Sequence, residues 1–222
     1  SDVYKRQAEG NPYGEGYYDD FNTAVGLDSA GHTQLHHKGK LVIGVENTPT
    51  VIFDLMQFLV IDLGGVVGQI GMGQHGTAFA HAGMRMGPAI CYEGLYGDFY
   101  GDFVRRGAQF MAIISNDGWW GDTPGYKHLF TISRLRAIEH RRAIARSANT
   151  GMSGFISARG DIGETLGWKK RGVISAAVPL NSELTFYTRY GDYLGRISEY
   201  LTLLCVLYYI AYRVKRKNYL VK

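Results

Sequence analysis

Cys91 offers the clearest chemistry in this sequence. It follows the apolar pair Ala89-Ile90 and precedes Tyr92-Glu93, an order typical of a strand that ends where a helix begins. Backbone N–H groups at the start of a helix favour negative charge, so they stabilise a thiolate and can bind the oxyanion that forms when the thiolate attacks an acyl carbon. The pattern therefore indicates a nucleophilic cysteine, although a lone cysteine in this setting is also typical of a small buried core residue.

A lysine-containing segment upstream could serve such a cysteine. The segment runs KGKLVIGVE from Lys38 to Glu46 and includes a second lysine, Lys40. A lysine beside a nucleophilic cysteine stabilises both the thiolate and the oxyanion, and a carboxylate such as Glu46 can hold that lysine in place. Two lysines after a strand are more often a solvated surface, so their spacing alone leaves both interpretations open.

A third polar segment follows another apolar strand. Residues 115–121 have the sequence SNDGWWG and come directly after QFMAII. Polar groups at a strand end beside two adjacent tryptophans can form the rim of a pocket. The alternative is a turn whose tryptophans lie in the core.

These segments need a layered scaffold to bring them together. Periodic apolar residues predict two helices, at 93–107 and 127–148. Alternating apolar and turn residues predict strands at 21–28, 33–37, 77–81, 86–90, 109–115, 151–157 and 172–178. An apolar run at 51–61 has no firm type, and residues 64–76 are typical of a glycine-rich loop. A mixture of strand pairs with helices predicts an α/β fold.

The C-terminal segment predicts a membrane anchor. Residues 200–214 (YLTLLCVLYYIAYRV) span about 22 Å as a helix. Extension to residues 197–217, through the stems of the terminal Arg and Lys side chains, brings the length close to that of the hydrocarbon core, about 30 Å. A basic cluster directly after an apolar helix is typical of a cytoplasmic end, which would leave the domain on the other side. The alternative is a C-terminal helix buried against the domain.

Charge, cysteine and histidine patterns exclude several classes of function. Five cations after Tyr200 account for the formal net charge of +4 and leave the rest of the chain near −1, so we predict no nucleic-acid partner. Two cysteines cannot build a disulfide framework, and the histidines lack the spacing of metal ligands. Residues 71–76 match G-x-G-x-x-G, but a predicted strand follows them where a dinucleotide site needs a helix.

Taken in order, the motifs resemble those of the carbon–nitrogen hydrolase (nitrilase) superfamily, and more closely those of its apolipoprotein N-acyltransferase branch. The resemblance covers about residues 17–217. Its motifs are HKGKLV and GVE at 37–46, AICYE at 89–93, NDGWWG at 116–121, RLRAIE at 134–139, RSANTG at 146–151, YTRYGD at 187–192 and the terminal apolar helix. Cys-Tyr-Glu alone carries little information, whereas the ordered set is specific.

The resemblance implies a fold and a domain organisation. The fold would be a partial nitrilase-like α-β-β-α sandwich followed by a C-terminal transmembrane helix. We expect the catalytic domain at residues 17–192, the transmembrane helix at 197–217 and a basic cytoplasmic tail to residue 222. Residues 1–16 are left unassigned.

The resemblance also assigns roles to single residues. Cys91 would be the nucleophile of a Glu–Lys–Cys triad. Lys38 would be the triad lysine because it stands three residues before Leu41 of the Leu-Val motif, which makes Lys40 the weaker candidate. The supporting groups would be two carboxylates and one backbone N–H group, those of Glu46, Glu93 and Tyr92.

The family's chemistry implies the partners and the location. In the family, the cysteine takes an acyl chain from a membrane phospholipid as a thioester. The α-amino group of the diacylglyceryl-cysteine at an apolipoprotein N-terminus then attacks that thioester, and no metal or organic cofactor takes part. The implied location is the bacterial inner membrane, with the catalytic domain on the periplasmic side and the C-terminus in the cytoplasm.

The sequence departs from the family pattern at one catalytic position. The family's general-base glutamate lies upstream of the lysine, at the end of an earlier strand, and none of the acidic residues before Lys38 has such a setting. The family's multi-helix membrane domain is also unmatched, so we expect a fragment that is nearly inactive alone. Two alternatives remain: an amidase that uses water as the second nucleophile, which the C-terminal apolar helix disfavours, and a catalytically dead domain tethered to the membrane.

Overall fold

The described part of the molecule contains two β-sheets. The computed structural model describes residues 2–7, 18–42, 46 and 70–220. The smaller sheet has three antiparallel strands in the order β1 (Asp2–Gln7), β2 (Tyr18–Leu27) and β3 (Thr33–His37). Strands β2 and β3 form the hairpin that the sequence predicts, because the Asp28 carboxylate at the turn accepts hydrogen bonds from the N–H groups of Ala30 and His32.

The larger sheet has six strands, and their order in the sheet is the same as their order in the sequence. They are β4 (Phe79–His81), β5 (Met84–Ile90), β6 (Phe110–Ser115), β7 (Ile144–Ala148), β8 (Ser153–Ile156) and β9 (Ile162–Leu166). Strands β5, β6 and β7 are parallel, and the outer pairs are antiparallel. Because parallel strands end at the same edge of a sheet, the residues that follow these three strands lie side by side.

Helices connect the parallel strands and continue to the C-terminus. In chain order they are a 3₁₀ helix (Cys91–Leu95), α1 (Gly97–Arg105), a second 3₁₀ helix (Gly118–Trp120), α2 (Pro124–His140), α3 (Phe186–Tyr190) and α4 (Tyr193–Leu220). The helix predicted over 93–107 is therefore two helices, because the backbone at Tyr96 is extended.

Strand β5 lies between two hydrophobic clusters, because successive side chains of a strand point to opposite faces. Ala89 belongs to a cluster with Phe103 of α1 and Phe130 of α2. Ile90 belongs to a second cluster that includes Ala24 of β2. Helices thus cover one face of the larger sheet and the smaller sheet contacts the other at β5, which confirms a layered α/β fold.

The helix predicted over 127–148 is wrong beyond residue 140. Helix α2 ends at His140, Arg141 adopts a left-handed backbone with φ of 48°, and the chain then forms β7. Regularly spaced arginines favour a continuous helix over this segment. The alternation of buried Ile144 and Arg146 with less buried neighbours instead fits a strand between β6 and β8.

The strand predicted at 172–178 is also wrong. Those residues belong to no strand, and Val173 is 94% exposed. Strand β9, which the sequence analysis missed, pairs with β8 instead, and its own residues are mostly exposed. A strand exists only where a partner supplies hydrogen bonds, and the composition of one segment does not reveal its partner.

Two other expectations concern residues of which little is described. The apolar run at 51–61 lies outside the described residues, as do residues 64–69 of the predicted loop at 64–76. Residues 70–76 contain neither a helix nor a strand, and Gly71 forms an isolated bridge with Phe21 of β2. A strand follows this segment, as the argument against dinucleotide binding expects.

Helix α4 has the length and composition of a membrane span. Its residues Tyr193–Arg213 have a mean hydropathy of 1.3, and none of this apolar window is buried inside the molecule. Leu203 and Leu207, for example, are more than half exposed. The alternative of a C-terminal helix buried against the domain is therefore wrong, and a helix long and apolar enough to cross a membrane projects from the domain that the two sheets form.

A buried histidine, His140, connects helices α1, α2 and α3. His140, the last residue of α2, is fully buried, and its Nε2 donates a hydrogen bond to the carbonyl oxygen of Gly97 at the start of α1. Its Nδ1 lies 2.9 Å from the hydroxyl oxygen of Thr188 in α3. Burial, and then the cation of Arg136, lower the pKa of His140 to about 3, so the ring is neutral in the folded protein.

His140 should therefore make the domain sensitive to mild acid. Its pKa in the unfolded chain is near 6.5, so below that pH the unfolded state binds a proton that the folded state excludes until about pH 3. Stability then decreases as pH falls through this window, by up to about 1.4 kcal/mol per pH unit. We expect denaturant unfolding in detergent at pH 7 and pH 5 to give a smaller pH-dependent loss for His140→Gln than for the parent protein. His128→Gln, an exposed control, should match the parent, and equal losses in all three proteins would contradict the role of His140.

Candidate active site

Cys91 lies at the edge of the larger sheet where the parallel strands end. It directly follows β5 and is the first residue of a 3₁₀ helix. Its backbone is left-handed, with φ of 47°, a conformation that is uncommon and strained for a residue with a Cβ. The thiol is partly exposed. A sharp strand-to-helix turn at a half-exposed cysteine is the setting that the sequence analysis expects for a nucleophile.

Lys38 and Glu46 form a buried ion pair at the end of β3. Lys38 is 1% exposed, and its Nζ donates to both carboxylate oxygens of Glu46 at 2.8 and 2.7 Å. Burial raises the pKa of Glu46, but hydrogen bonds from Lys38 and from the N–H of Val42 outweigh burial and hold that pKa below its usual range. Glu46 is therefore a carboxylate at neutral pH, and its two hydrogen bonds orient the Lys38 side chain.

The second lysine has different surroundings. Lys40 Nζ lies 5.3 Å from the ring centroid of Tyr96 and 5.4 Å from that of Phe99. Two aromatic faces hold this cation by cation–π contacts, at a different place from the Glu46 carboxylate. The geometry thus separates Lys38, which is buried and paired with a carboxylate, from Lys40, which lies over aromatic rings.

Glu93 joins the lysine-bearing segment to the cysteine-bearing segment. This fully buried carboxylate accepts hydrogen bonds from the N–H of Gly39 and the N–H of Ile90, each at 2.6 Å. A Cβ on residue 39 would collide with the ring of Phe99, so a glycine lets this backbone approach. The Glu93 carboxylate consequently holds two backbone positions together, the residue after Lys38 and the residue before Cys91.

Two further residues support these carboxylates, and the sequence analysis missed both. His36 of β3 is fully buried, with Nε2 3.1 Å from each oxygen of Glu93. Asn22 of β2 donates from Nδ2 to Glu46 at 3.0 Å. The side chain that pairs with Glu93 is thus His36, whereas Lys38 pairs with Glu46. In the sequence, His36 could have been recognised as a polar residue at a core-facing position of an alternating strand.

The polar segment after β6 lies at the same sheet edge. Asp117 is fully buried and forms an ion pair with Arg146 of β7 at 2.8 Å, while the Ser115 hydroxyl donates to the same carboxylate. Trp119 and Trp120 are 60% and 46% exposed, so the alternative of core tryptophans is wrong. Two exposed indoles stand at the edge where Cys91 lies, as the rim of a pocket would require.

Tyr92 follows Cys91 in the 3₁₀ helix and is half-buried. Its ring contacts the ring of Tyr96 edge-to-face, with centroids 5.6 Å apart. Within the described residues, no group of three or more His, Cys, Asp or Glu side chains could hold a metal ion. The groups that Glu93 brings to the cysteine-bearing turn are the backbone N–H groups of Gly39 and Ile90 and the ring of His36.

A comparison with known families decides where this arrangement belongs. The model of the carbon–nitrogen hydrolase family matches residues 5–184, most of the chain. The chain belongs to the carbon–nitrogen hydrolase family. The match includes Lys38, Glu46, Cys91 and Glu93, so the residues that surround the cysteine lie within the family's domain.

Among carbon–nitrogen hydrolases, the chain is similar to apolipoprotein N-acyltransferases. It is 36% identical to the enzyme of that name from Chlorobaculum tepidum over 79% of this chain and 34% of the relative. It is 42% identical to the one from Rhizobium meliloti over 44% of this chain and 18% of the relative. The chain thus spans about a third of the first relative and about a fifth of the second.

Solved structures confirm the nitrilase-like fold. Saccharomyces cerevisiae Nit3, a member of the nitrilase superfamily, aligns with a TM-score of 0.52 and 18% identity, covering 69% of this chain and 51% of Nit3. An amidase from Nesterenkonia sp. AN1, in a form with acrylamide added to its active-site cysteine, aligns with a TM-score of 0.51 and 14% identity, covering 82% of this chain and 63% of the amidase. At these identities the likeness concerns the fold alone.

Proposed function

We propose that this chain carries the acyl-transfer site of a membrane-anchored N-acyltransferase that matures lipoproteins. In this proposal Cys91 is the nucleophile, Lys38 is the triad lysine, and Glu46 and Glu93 are the supporting carboxylates. The observation that carries the proposal is the position of Glu93, which links the residues adjacent to Lys38 and to Cys91 through two 2.6 Å hydrogen bonds. The similarity to apolipoprotein N-acyltransferases supplies the substrate class.

In the first half-reaction, the sulfur of Cys91 attacks an ester carbonyl carbon of a phospholipid. A C–S bond forms, the ester C–O bond breaks, and the proton from the thiol leaves with the lysophospholipid by way of a general base. The Lys38 cation and the N–H of Tyr92 stabilise the oxyanion. Since Glu46 and Glu93 already accept several hydrogen bonds each, we assign the general base to a glutamate that is not part of this sequence.

In the second half-reaction, the α-amino group of a lipoprotein's diacylglyceryl-cysteine attacks the thioester carbon. A C–N bond forms, the C–S bond breaks, and the base returns the amine proton to the sulfur. A thioester suits this step because it activates the acyl group towards an amine. The steps need neither a metal nor an organic cofactor.

Helix α4 and its basic end support the proposed membrane placement. Arg213, Lys215 and Arg216 come at the end of the apolar window, and basic clusters of this kind remain in the cytoplasm. The catalytic domain then lies on the periplasmic side of the bacterial inner membrane, close to its phospholipid substrate. An amidase of the same family, acting on soluble substrates, has no need of such a helix.

The decisive experiment is an acyl-labelling assay on the product of the complete gene. The protein in detergent is mixed with a phospholipid that bears an alkyne-tagged acyl chain. We expect one tagged acyl group on the protein that neutral hydroxylamine removes, as it removes a thioester, and that a synthetic diacylglyceryl-cysteine peptide takes up as an amide. The label should be lost in Cys91→Ala and retained in Cys205→Ala, a matched control at the second free cysteine, which is exposed on α4.

Three outcomes would contradict the proposal. Retention of the label by folded Cys91→Ala would remove Cys91 from the reaction. Release of the acyl group to water at the same rate with and without the peptide would indicate the hydrolytic alternative, and absence of any label would indicate a catalytically dead domain.

A further inference from the structure

A second feature of the domain is an open cavity at the base of α4. Its volume is about 510 Å³, and it lies where the end of β3, helix α1, helix α3 and the first turns of α4 meet. Its ionic lining consists of four cationic side chains and two carboxylates: Lys40, Arg105, Arg189, Arg196, Asp98 and Asp102. The excess of positive charge makes it a candidate site for an anion.

The charges of this cavity are only partly neutralised from within. The Asp102 carboxylate accepts hydrogen bonds from Nε of Arg106 at 3.0 Å and from the N–H of Gly76 at 2.9 Å. Arg105 donates to the carbonyl oxygens of Thr188 and Asp98. Both side chains are therefore engaged by groups around the cavity.

Arg189 and Arg196 differ from that pair. Within the described residues, the Arg189 side chain has neither a hydrogen bond nor an ion pair, and the Arg196 side chain donates only to backbone carbonyl oxygens, those of Asp192 and Tyr190. The carboxylate of Asp98 lies near Arg196, since a Cβ on Gly191 would collide with Asp98 and lie 2.8 Å from Nη2 of Arg196. In the part of the chain that the structure describes, the Arg189 guanidinium thus lines the cavity without a protein acceptor.

The turn between α3 and α4 brings these arginines to one cavity. Arg189 is in the last turn of α3, Arg196 is in the first turns of α4, and Gly191 between them has a left-handed φ of 67°. The apolar window begins at Tyr193, so in the membrane placement proposed above the cavity lies beside the start of the membrane helix. Exposed Tyr190 and Tyr193 flank it, and tyrosines are enriched at the level of lipid headgroups.

We propose that this cavity binds a phosphate group, and that its source is the headgroup of a membrane phospholipid that anchors the domain without being consumed. Guanidinium groups bind phosphate oxygens through paired, charge-assisted hydrogen bonds, and Arg189 has its donors free for this role among the described residues. Lys40, held over Tyr96 and Phe99, also lines the cavity and adds positive charge. Only the membrane placement of α4 is shared with the proposed function; the chemistry of Cys91 plays no part.

The test measures binding in a background that cannot turn over lipid. The product of the complete gene with Cys91→Ala, in detergent, is titrated calorimetrically with a short-chain ether-linked phosphatidylglycerol, with the matching dialkylglycerol that lacks phosphate, and with inorganic phosphate. We expect the phospholipid to bind at least about tenfold more tightly than either of the other two. Arg189→Gln should weaken it about tenfold or more, since a hydrogen bond to a charged group is lost.

Matched variants and two adverse outcomes complete the test. Arg189→Lys, which keeps the charge but not the paired donors, should bind with intermediate affinity. Arg171→Gln, an exposed arginine away from the cavity, should change affinity less than twofold. Unchanged affinity in folded Arg189→Gln would overturn the site, and equally tight binding of inorganic phosphate would overturn the lipid as its source. If the labelling assay showed no acyl transfer, these binding results could still be interpreted, because none of the binding measurements depends on Cys91.

Discussion

Lys38→Met should lower the rate of acyl transfer by about 10³, because charge stabilisation of a thiolate and an oxyanion in a dry site contributes on that scale. Methionine keeps most of the length of the side chain and removes its charge. Lys38 is 1% exposed and both of its bonds to protein carboxylate reach Glu46, so water cannot easily replace the missing cation. The measurement is the rate at which the tagged acyl group moves from phospholipid to the lipopeptide.

The controls separate lost chemistry from lost folding. Lys170→Met, at an exposed lysine, should retain the parent rate. The double variant Lys38→Met/Glu46→Gln removes both charges and should fold at least as well as the single variant, yet remain as inactive. A folded Lys38→Met that transfers within tenfold of the parent would exclude Lys38 as the triad lysine and return that role to Lys40.

Arg146→Met should destabilise the domain by about 3–5 kcal/mol, the usual cost of leaving one charge of a buried ion pair without its partner. Asp117 is fully buried, and the side chain of Arg146 is 2% exposed. Arg146 Nη2 donates to both oxygens of Asp117, at 3.0 and 2.8 Å, and its Nε donates to the carbonyl oxygen of Met152. Water has little access to the carboxylate that the substitution leaves behind.

Denaturant unfolding in detergent measures this effect, with a double variant to isolate the pair. Asp117→Asn/Arg146→Met should be clearly more stable than the sum of the two single losses implies, because no uncompensated charge remains. Arg159→Met, at an exposed arginine, should change the free energy of unfolding by less than about 0.5 kcal/mol. Additive losses in the double variant would contradict the coupling of Asp117 to Arg146.

The parts of the site that local sequence could predict are those that depend on a short segment. The apolar residues before Cys91 and the helical ones after it define the strand-to-helix turn, and the structure has that turn. The predictions for β2, β3, β5 and β6 succeeded for the same reason: each has its own alternation of apolar residues and its own turn signals.

What the sequence could not predict depends on partners distant in the chain. Ile144 and Arg146 are in a strand because β6 and β8 lie on either side, although their arginine-rich surroundings favour a helix. His36 is significant because Glu93, 57 residues away, turns both carboxylate oxygens towards it. Asn22 reaches Glu46 only once β2 has paired with β3. In each case a tertiary contact decides the local structure or the role of the residue, so neither can be predicted from one segment alone.

The bonds of Glu93 also bear on when the site can form during folding. Its partner at Gly39 is 54 residues earlier in the chain, whereas its partner at Ile90 is only three residues earlier. Closing the long loop costs chain entropy before any contact compensates for it, so such contacts form late in folding. A partly folded chain can already present the cysteine turn, but the backbone next to Lys38 is fixed to Glu93 only after the smaller sheet has docked on the larger one. In the proposed site, Cys91 would therefore gain its activating groups together with the last long-range contacts.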